Sequence, residues 1–300
     1  MVRTIISLQW NNSNTMTAAD NSKTTTPTVT RRGLLGACAV GLSATAAGCS
    51  GATPFVGKRT EFDRTFDGNT GRITVETDSG DVNVSRTDAD EIQLHGIKEA
   101  ASVFADIEDI TVEATRDGDH LRITGDSGES SFLGLGNKSI SLDAGVPEGV
   151  AVERVSAANG DTTATDVAGN MTIESTNGAV KARNVDGHVS LASTNGDASA
   201  RNVAGLDGAE TTNGDVDVAI PAVEGEVSVA STNGAITAAL APDLDATVVA
   251  STRNGTITTN RLPLDAVGSG SNTVRGTLGD GTHDLSVETI NGDIVLDRLR

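Results

Sequence analysis

Side chains able to do chemistry are sparse and scattered along this 300-residue chain. The four histidines, His95, His120, His188 and His283, have no second His or Cys at metal-ligand spacing, so no transition-metal centre is expected. His188 stands beside a turn and reads as a solvated side chain. Aspartate follows glycine in Gly160-Asp161, Gly196-Asp197, Gly214-Asp215 and Gly292-Asp293. If the repeats stack, Asp197 and Asp215 fall one repeat apart, and oxygen ligands so placed can hold calcium. However, Ala179, Ala235 and Thr256 interrupt the column, and the calcium-binding nonapeptide is missing, so solvated turn carboxylates are expected instead. Lys181, Arg183 and Arg201 could share a face with Asp161 and Asp197 nearby, the groups with which a β-helical enzyme can cleave polysaccharide. There is no Tyr, and no Trp after Trp10, so aromatic platforms for sugar rings are absent. Gly134-Leu135-Gly136-Asn137-Lys138-Ser139 lacks the spacing of a phosphate loop. Asn83, Asn137, Asn170 and Asn254 begin Asn-x-Ser/Thr sequons. No catalytic residue, metal or cofactor is expected.

The elements that would position these residues are repetitive. Asn-Gly recurs at Asn159-Gly160, Asn177-Gly178, Asn195-Gly196, Asn213-Gly214, Asn233-Gly234, Asn254-Gly255 and Asn291-Gly292, at intervals of 18, 18, 18, 20, 21 and 37, the last close to two periods. Ser-Thr-Asn-Gly stands at 175–178, 193–196 and 231–234, and Val-x-Gly marks a second turn midway through the early copies. Between the turns, Val180 and Ala182 alternate with Lys181 and Arg183, and Val189 alternates with Leu191, which is the period of a half-buried strand. Asn-Gly is expected to supply the positive φ of a tight turn. A two-strand unit at constant period buries its apolar face by stacking, so the expected fold is all-β: a single-chain, β-helix-like solenoid with coils of about 18 residues. The alternative is a sandwich of antiparallel hairpins. Stacked Asn side chains can hydrogen-bond along the axis. Leu206-Asp207-Gly208-Ala209 breaks the alternation and predicts an irregular strand or bulge.

Residues 60–145 form a less regular β region ahead of the regular repeats at 146–300. Ile73 to Val84 reads as two strands around a turn. Ile110-Thr111-Val112-Glu113-Ala114 and His120-Leu121-Arg122-Ile123-Thr124 read as a hairpin across Arg116-Asp117-Gly118-Asp119. Residues 95–107 are expected to form a short helix or capping loop, and 126–138 a flexible loop. With only Phe55, Phe62, Phe66, Phe104 and Phe132 as aromatics after residue 49, the interior must be thin and aliphatic.

The segment 1–48 differs in character from the rest. Thr30-Arg31-Arg32-Gly33-Leu34-Leu35 resembles a twin-arginine export motif, and the apolar run after it is too short to span a bilayer. Ala46-Ala47-Gly48-Cys49 resembles a lipobox, with Ala46 in place of the usual Leu, which implies lipid on Cys49. The segment ahead of the arginines is long, so Met16 is a candidate start, and 49–59 reads as a linker. Cys38 would leave with the signal, so no disulfide is expected.

Removing 1–48 takes away four basic side chains (Arg3, Lys23, Arg31, Arg32) and one acidic (Asp20). That leaves 18 basic and 40 acidic residues and a net charge of −22. Such a surface excludes nucleic acid as a partner, since a binder must neutralise phosphates. With the export signal it resembles that of a halophilic archaeal protein.

Residues 60–300, with Val146-Pro147-Glu148-Gly149-Val150, the repeated Thr-Asn-Gly and the closing Ile290-Asn291-Gly292-Asp293-Ile294, are similar to the "putative adhesin" β-strand-repeat family of bacteria and archaea. The resemblance implies a surface role and supplies no catalytic residues. The expectation is a non-enzymatic lipoprotein on the extracellular face of the membrane, held by Cys49, acting as an adhesion, scaffold or interaction module. A surface glycan or envelope protein would be its partner. A carbohydrate-active β-helix enzyme is the alternative, and the oligomeric state is left open. Charge repulsion in the body predicts a melting temperature that rises steeply with added KCl; a flat response would remove the halophile reading.

Overall fold

The computed structural model describes residues 57–102, 105–128, 137–269 and 272–300. Arg31, Arg32 and Cys49, with the rest of the export signal, lie outside the described residues, as do Phe55, Phe104, Phe132 and 129–136. Among the described residues the secondary structure is all-β, in twenty-one strands joined by one hydrogen-bond network.

Two rows of parallel strands carry the fold. One runs β6 (His120–Asp126), β2 (Arg72–Ser79), β8 (Ala151–Asn159), β10 (Met171–Asn177), the second halves of β11 (Val180–Asn195) and β12 (Ala198–Asn213), then β14 (Glu226–Asn233), β20 (His283–Asn291) and β16 (Ala246–Asn254). The other runs β7 (Lys138–Val146), β3 (Val82–Arg86), β9 (Thr162–Thr165), the first halves of β11 and β12, then β13 (Val216–Ile220), β15 (Ile236–Leu240), β21 (Ile294–Arg298) and β17 (Ile257–Asn260). In the first row Asn159 pairs with Asn177, Asn177 with Asn195 and Asn195 with Asn213, so each corner lies beside its counterpart in the next repeat. Alternation does the rest: Val180, Ala182, Val189 and Leu191 are buried, and the interior is aliphatic from Ile73 to Leu296. Each such Val, Leu or Ile contributes about 1.5–3 kcal/mol by leaving water.

Three of the four row ends finish in antiparallel strands. β5 (Thr111–Asp117) turns back on β6 through the hairpin expected at Gly118-Asp119. β4 (Ile92–Ala100) lies antiparallel on β7, and β1 (Lys58–Phe66) on β4. At the other end β19 (Thr273–Leu278) lies antiparallel on β16, and β18 (Asp265–Ser269) on β19. The helix or loop expected over 95–107 is therefore corrected up to Ala100, which is strand. The Phe62 ring lies over Gly96, where a Cβ would stand 2.1 Å from it, so the sheet is capped by an aromatic packed on bare backbone.

Three further expectations are corrected or refined. First, the interval of 37 is not two serial periods. β20 and β21 insert between β14/β15 and β16/β17, so Asn291 pairs with both Asn233 and Asn254. The first strand pair does the same at the other end, where β2 and β3 lie between β6/β7 and β8/β9. Second, the bulge is present: the register passes from Val189↔Leu206 to Ser190↔Gly208, leaving Asp207 unpaired, and an opposite skip at Asp186-Gly187 restores the offset.

Third, the Asn-Gly corners do not supply left-handed backbone. Among their glycines only Gly160 has a positive φ, at 153°. The left-handed residues sit at the other corner, where Asp166, Asn184 and Asn202 have φ of 58°, 53° and 53°. Glycine is required at the Asn-Gly corner by proximity: a Cβ on Gly196 would lie 2.1 Å from the carbonyl oxygen of Gly178. Gly196→Ala is thus expected to cost more than about 4 kcal/mol in urea unfolding, because backbone blocks relaxation. Gly208→Ala, whose Cβ would meet nothing closer than 3.4 Å, should stay within about 1 kcal/mol. Equal losses at the two sites would refute the proximity account.

Candidate functional site

The Asn-Gly corner consumes most of the polar groups the repeat displays. Asn177 Nδ2 donates to Asn159 Oδ1 at 2.8 Å, and the chain of amides continues through Asn195, Asn213, Asn233, Asn291 and Asn254. Beside it runs a column of buried hydroxyls that sequence reading did not single out. Ser175, Ser193, Thr211, Ser231, Thr289 and Thr252 each donate to a glycine carbonyl of the neighbouring corner, at 2.8–3.0 Å. Their signal was the first residue of Ser-Thr-Asn-Gly, two positions before Asn. A shorter column joins Asn202 to Asn184 and Asn184 to Asp166.

The turn carboxylates also face backbone. Asp161, Asp197 and Asp215 accept the N–H groups of Ala179, Asp215 and Ala235 at 2.8 Å, and Asp293 accepts both the N–H and the hydroxyl of Thr256. The interruptions Ala179, Ala235 and Thr256 are thus the donors of this column. Among the described residues no group of three His, Cys, Asp or Glu side chains is placed to hold a metal ion.

Polar clusters elsewhere are ion pairs on the outer faces. Lys181 lies 3.6 Å from Asp161, Arg201 pairs with Asp217, and Arg183 stands opposite Arg201, so the basic face expected there is present but partly neutralised. His188 is corrected: its side chain is only 19% exposed, with Nδ1 2.9 Å from Asp207 and Nε2 3.8 Å from Glu224. Thr74, His120 and Glu153 look like a relay, but both Thr74 Oγ1 (2.9 Å) and Glu153 (3.6 Å) meet the same Nε2, so the carboxylate cannot orient the ring for proton abstraction from the hydroxyl. Two sequon amides are occupied, Asn83 by Asp143 and Asn254 by Asn291.

What remains open is a shallow groove along the first row, beside the Asn column. One stretch is lined by Glu76, Asp78, Asp126, Glu174, Thr176 and Thr194, the next by Glu210, Thr212, Thr232, Arg253, Glu288 and Ile290, and Ala192 and Ser193 belong to both. Register places one outward position in the order Glu76, Ser156, Glu174, Ala192, Glu210, Ala230, Glu288, Ser251. Carboxylates therefore alternate with small residues, about 9.6 Å apart at two strand spacings. Glu76 and Glu174 are paired with Arg122 and Arg154, at 2.6 and 2.5 Å. Such a spacing is close to twice the roughly 5–5.5 Å of a retaining carboxylate pair and at the upper limit for an inverting one. The groove offers a regular row of hydroxyls and carboxylates.

These features define an all-β repeat protein built of stacked parallel strands around an aliphatic interior. The chain belongs to the Toastrack DUF4097 family, whose profile matches residues 148–297. No curated protein matches it significantly. It is similar to a solved "putative cell adhesion protein" from Clostridium sporogenes ATCC 15579 (13% identity, 81% of this chain and 100% of that one, TM-score 0.36). It is also similar to a "putative adhesin" from Parabacteroides distasonis ATCC 8503 (13%, 80% and 97%, 0.39) and to a "Putative lipid binding protein" from the same organism (11%, 80% and 97%, 0.32). At such TM-scores these likenesses carry no functional argument.

Hydrogen bonds from Thr256 hold Asp293 below the ordinary carboxylate value, and the backbone and hydroxyl of Thr282 do the same for Asp245. A lowered folded pKa contributes stability above the unfolded carboxylate range, and this is lost as pH falls through the folded value. His95 works in the opposite direction: its bond to Asp63 raises it, so its contribution is present in acid and lost as pH rises through the raised value. Asp293→Asn is accordingly expected to lower the melting temperature at pH 7, and the gap to the parent should close as the pH falls below the ordinary carboxylate range. A gap independent of pH would show that charge plays no part.

Proposed function

We propose that this protein is a non-enzymatic surface module, exported through Arg31-Arg32, anchored by lipid on Cys49, and built as a β-solenoid with one coil per Asn-Gly repeat. The body acts as an adhesion, scaffold or interaction element, with the groove beside the Asn column as its contact face. One observation carries the reading: along the repeats, polar side chains serve the neighbouring corner rather than converging on a reacting centre. The other support is the order of signal, lipobox and repeat in the sequence. A rigid column of equal corners presents the same groups at each step, which suits an extended surface glycan or envelope protein.

The test uses the full chain expressed in an exporting host. The parent should fractionate with membranes and be released by detergent, whereas Cys49→Ser should appear in the medium. Envelope material from the same host should retain the parent, and Thr194→Asp with Thr212→Asp should weaken that retention at unchanged circular dichroism. Identical fractionation of parent and Cys49→Ser would overturn the anchor. Undiminished retention of the groove variant would overturn the contact face.

A further inference from the structure

In this strongly acidic chain, most described arginines are answered. Arg59, Arg72, Arg86, Arg122, Arg154 and Arg201 each meet a carboxylate, and Arg64 and Arg116 bond backbone carbonyls. Arg183, Arg253 and Arg275 lack such a partner among the described residues, but they stand on three different strands. Arg261, Arg298 and Arg300 also lack one, and these three line a single pocket with Pro242 and Leu299.

The topology explains why they meet. β15, β21 and β17 are consecutive neighbours in the second row, with Leu240 opposite Arg298 and Asn260 opposite Asp297. The Leu299 N–H donates to the Leu240 carbonyl at 2.8 Å, drawing the chain after β21 against the exit of β15. Arg261, immediately after β17, therefore arrives beside Arg298. Asp243 and Asp297, next to these residues in sequence, do not line the pocket.

A second observation is independent of the charge. Arg261 has φ 57°, while the other non-glycine residues with positive φ among the described residues are Asp166, Asn184 and Asn202, types that tolerate the left-handed region. An arginine there is strained, and glycine or asparagine would satisfy the turn better. Strain at Arg261, in a pocket that three arginines line without a carboxylate side chain, is accounted for if an anionic ligand occupies it.

We infer that this corner is an oxyanion-binding site that takes a phosphate group. Guanidinium forks match tetrahedral oxyanions through paired charge-assisted hydrogen bonds, and the half-buried Pro242 and Leu299 wall the pocket beside the exposed arginines. Elsewhere the net negative charge repels anions, so the site is set apart from the groove. The phosphate is either free or the headgroup of an anionic lipid.

Calorimetry on the full chain with inorganic phosphate tests the site, with acetate as the carboxylate control. Flotation of the Cys49→Ser chain, which carries no lipid of its own, with phosphatidylglycerol vesicles against phosphatidylcholine vesicles distinguishes the source. Saturable phosphate binding should weaken about tenfold in Arg298→Gln, the loss of one charge-assisted contact. Arg261→Gly should weaken it similarly while keeping or raising the melting temperature, because glycine relieves the left-handed strain. Flotation lost in both variants identifies the lipid headgroup, and phosphate binding without flotation identifies the free anion. Absence of saturable binding in the parent, or equal affinity in parent and variants, would overturn the inference.

Discussion

The close approach of one Asn-Gly backbone to the next governs this molecule. At each corner the glycine carbonyl lies where a Cβ on the following glycine would collide with it, and the same carbonyl accepts a buried Ser or Thr hydroxyl. The contact holds neighbouring strands at one register, and that register turns each side chain of the pattern toward the interior or toward water. A small aliphatic interior without Trp or Tyr suffices because backbone pairing and side-chain columns run through every unit. Local polar groups are satisfied in the same act: no buried side-chain nitrogen or oxygen among the described residues is left without a partner.

The same constraint creates a problem at the ends, where parallel strands would expose a row of unpaired N–H and C=O groups. Antiparallel strands close three of the four row ends: β5 on β6, β4 and β1 on β7, and β19 and β18 on β16. At the fourth, the described residues place no strand beyond β17, which is only four residues long. The first and last strand pairs sit one unit inward, so each end is made by a segment from the middle of the topology and tied down by long-range pairing.

A repeat that spends its Asn, Asp, Ser and Thr on neighbouring corners has few groups left for catalysis. The glutamates of the groove are spaced by strand geometry, and the relay-like set Thr74, His120 and Glu153 has its acid on the wrong nitrogen. The interruptions of the Asp column show the economy of the design: Ala179 and Ala235 need only a backbone N–H to complete it.

Much of this was legible in the residues. Period-two alternation identified Val180, Ala182, Val189 and Leu191 as inward, the equal intervals implied alignment of Asn159 through Asn213, and Asp207 announced its bulge, because all three depend on neighbours in sequence. The role of glycine at the corner was not legible, since φ is a local property while the carbonyl that excludes a Cβ comes from another unit. Nor could the strand over 95–100 be read, because it is decided by pairing with β7 and by the Phe62 ring. The sequence by itself determined the strand period, the turn positions, the acidic surface and the aliphatic interior. Only the tertiary structure decided that Asn291 lies between Asn233 and Asn254, that His188 is held by Asp207, and that Arg261, Arg298 and Arg300 line one pocket. The reason is that every unit offers the same edge, so the choice of neighbour rests on backbone hydrogen bonds and chain closure that no local pattern encodes.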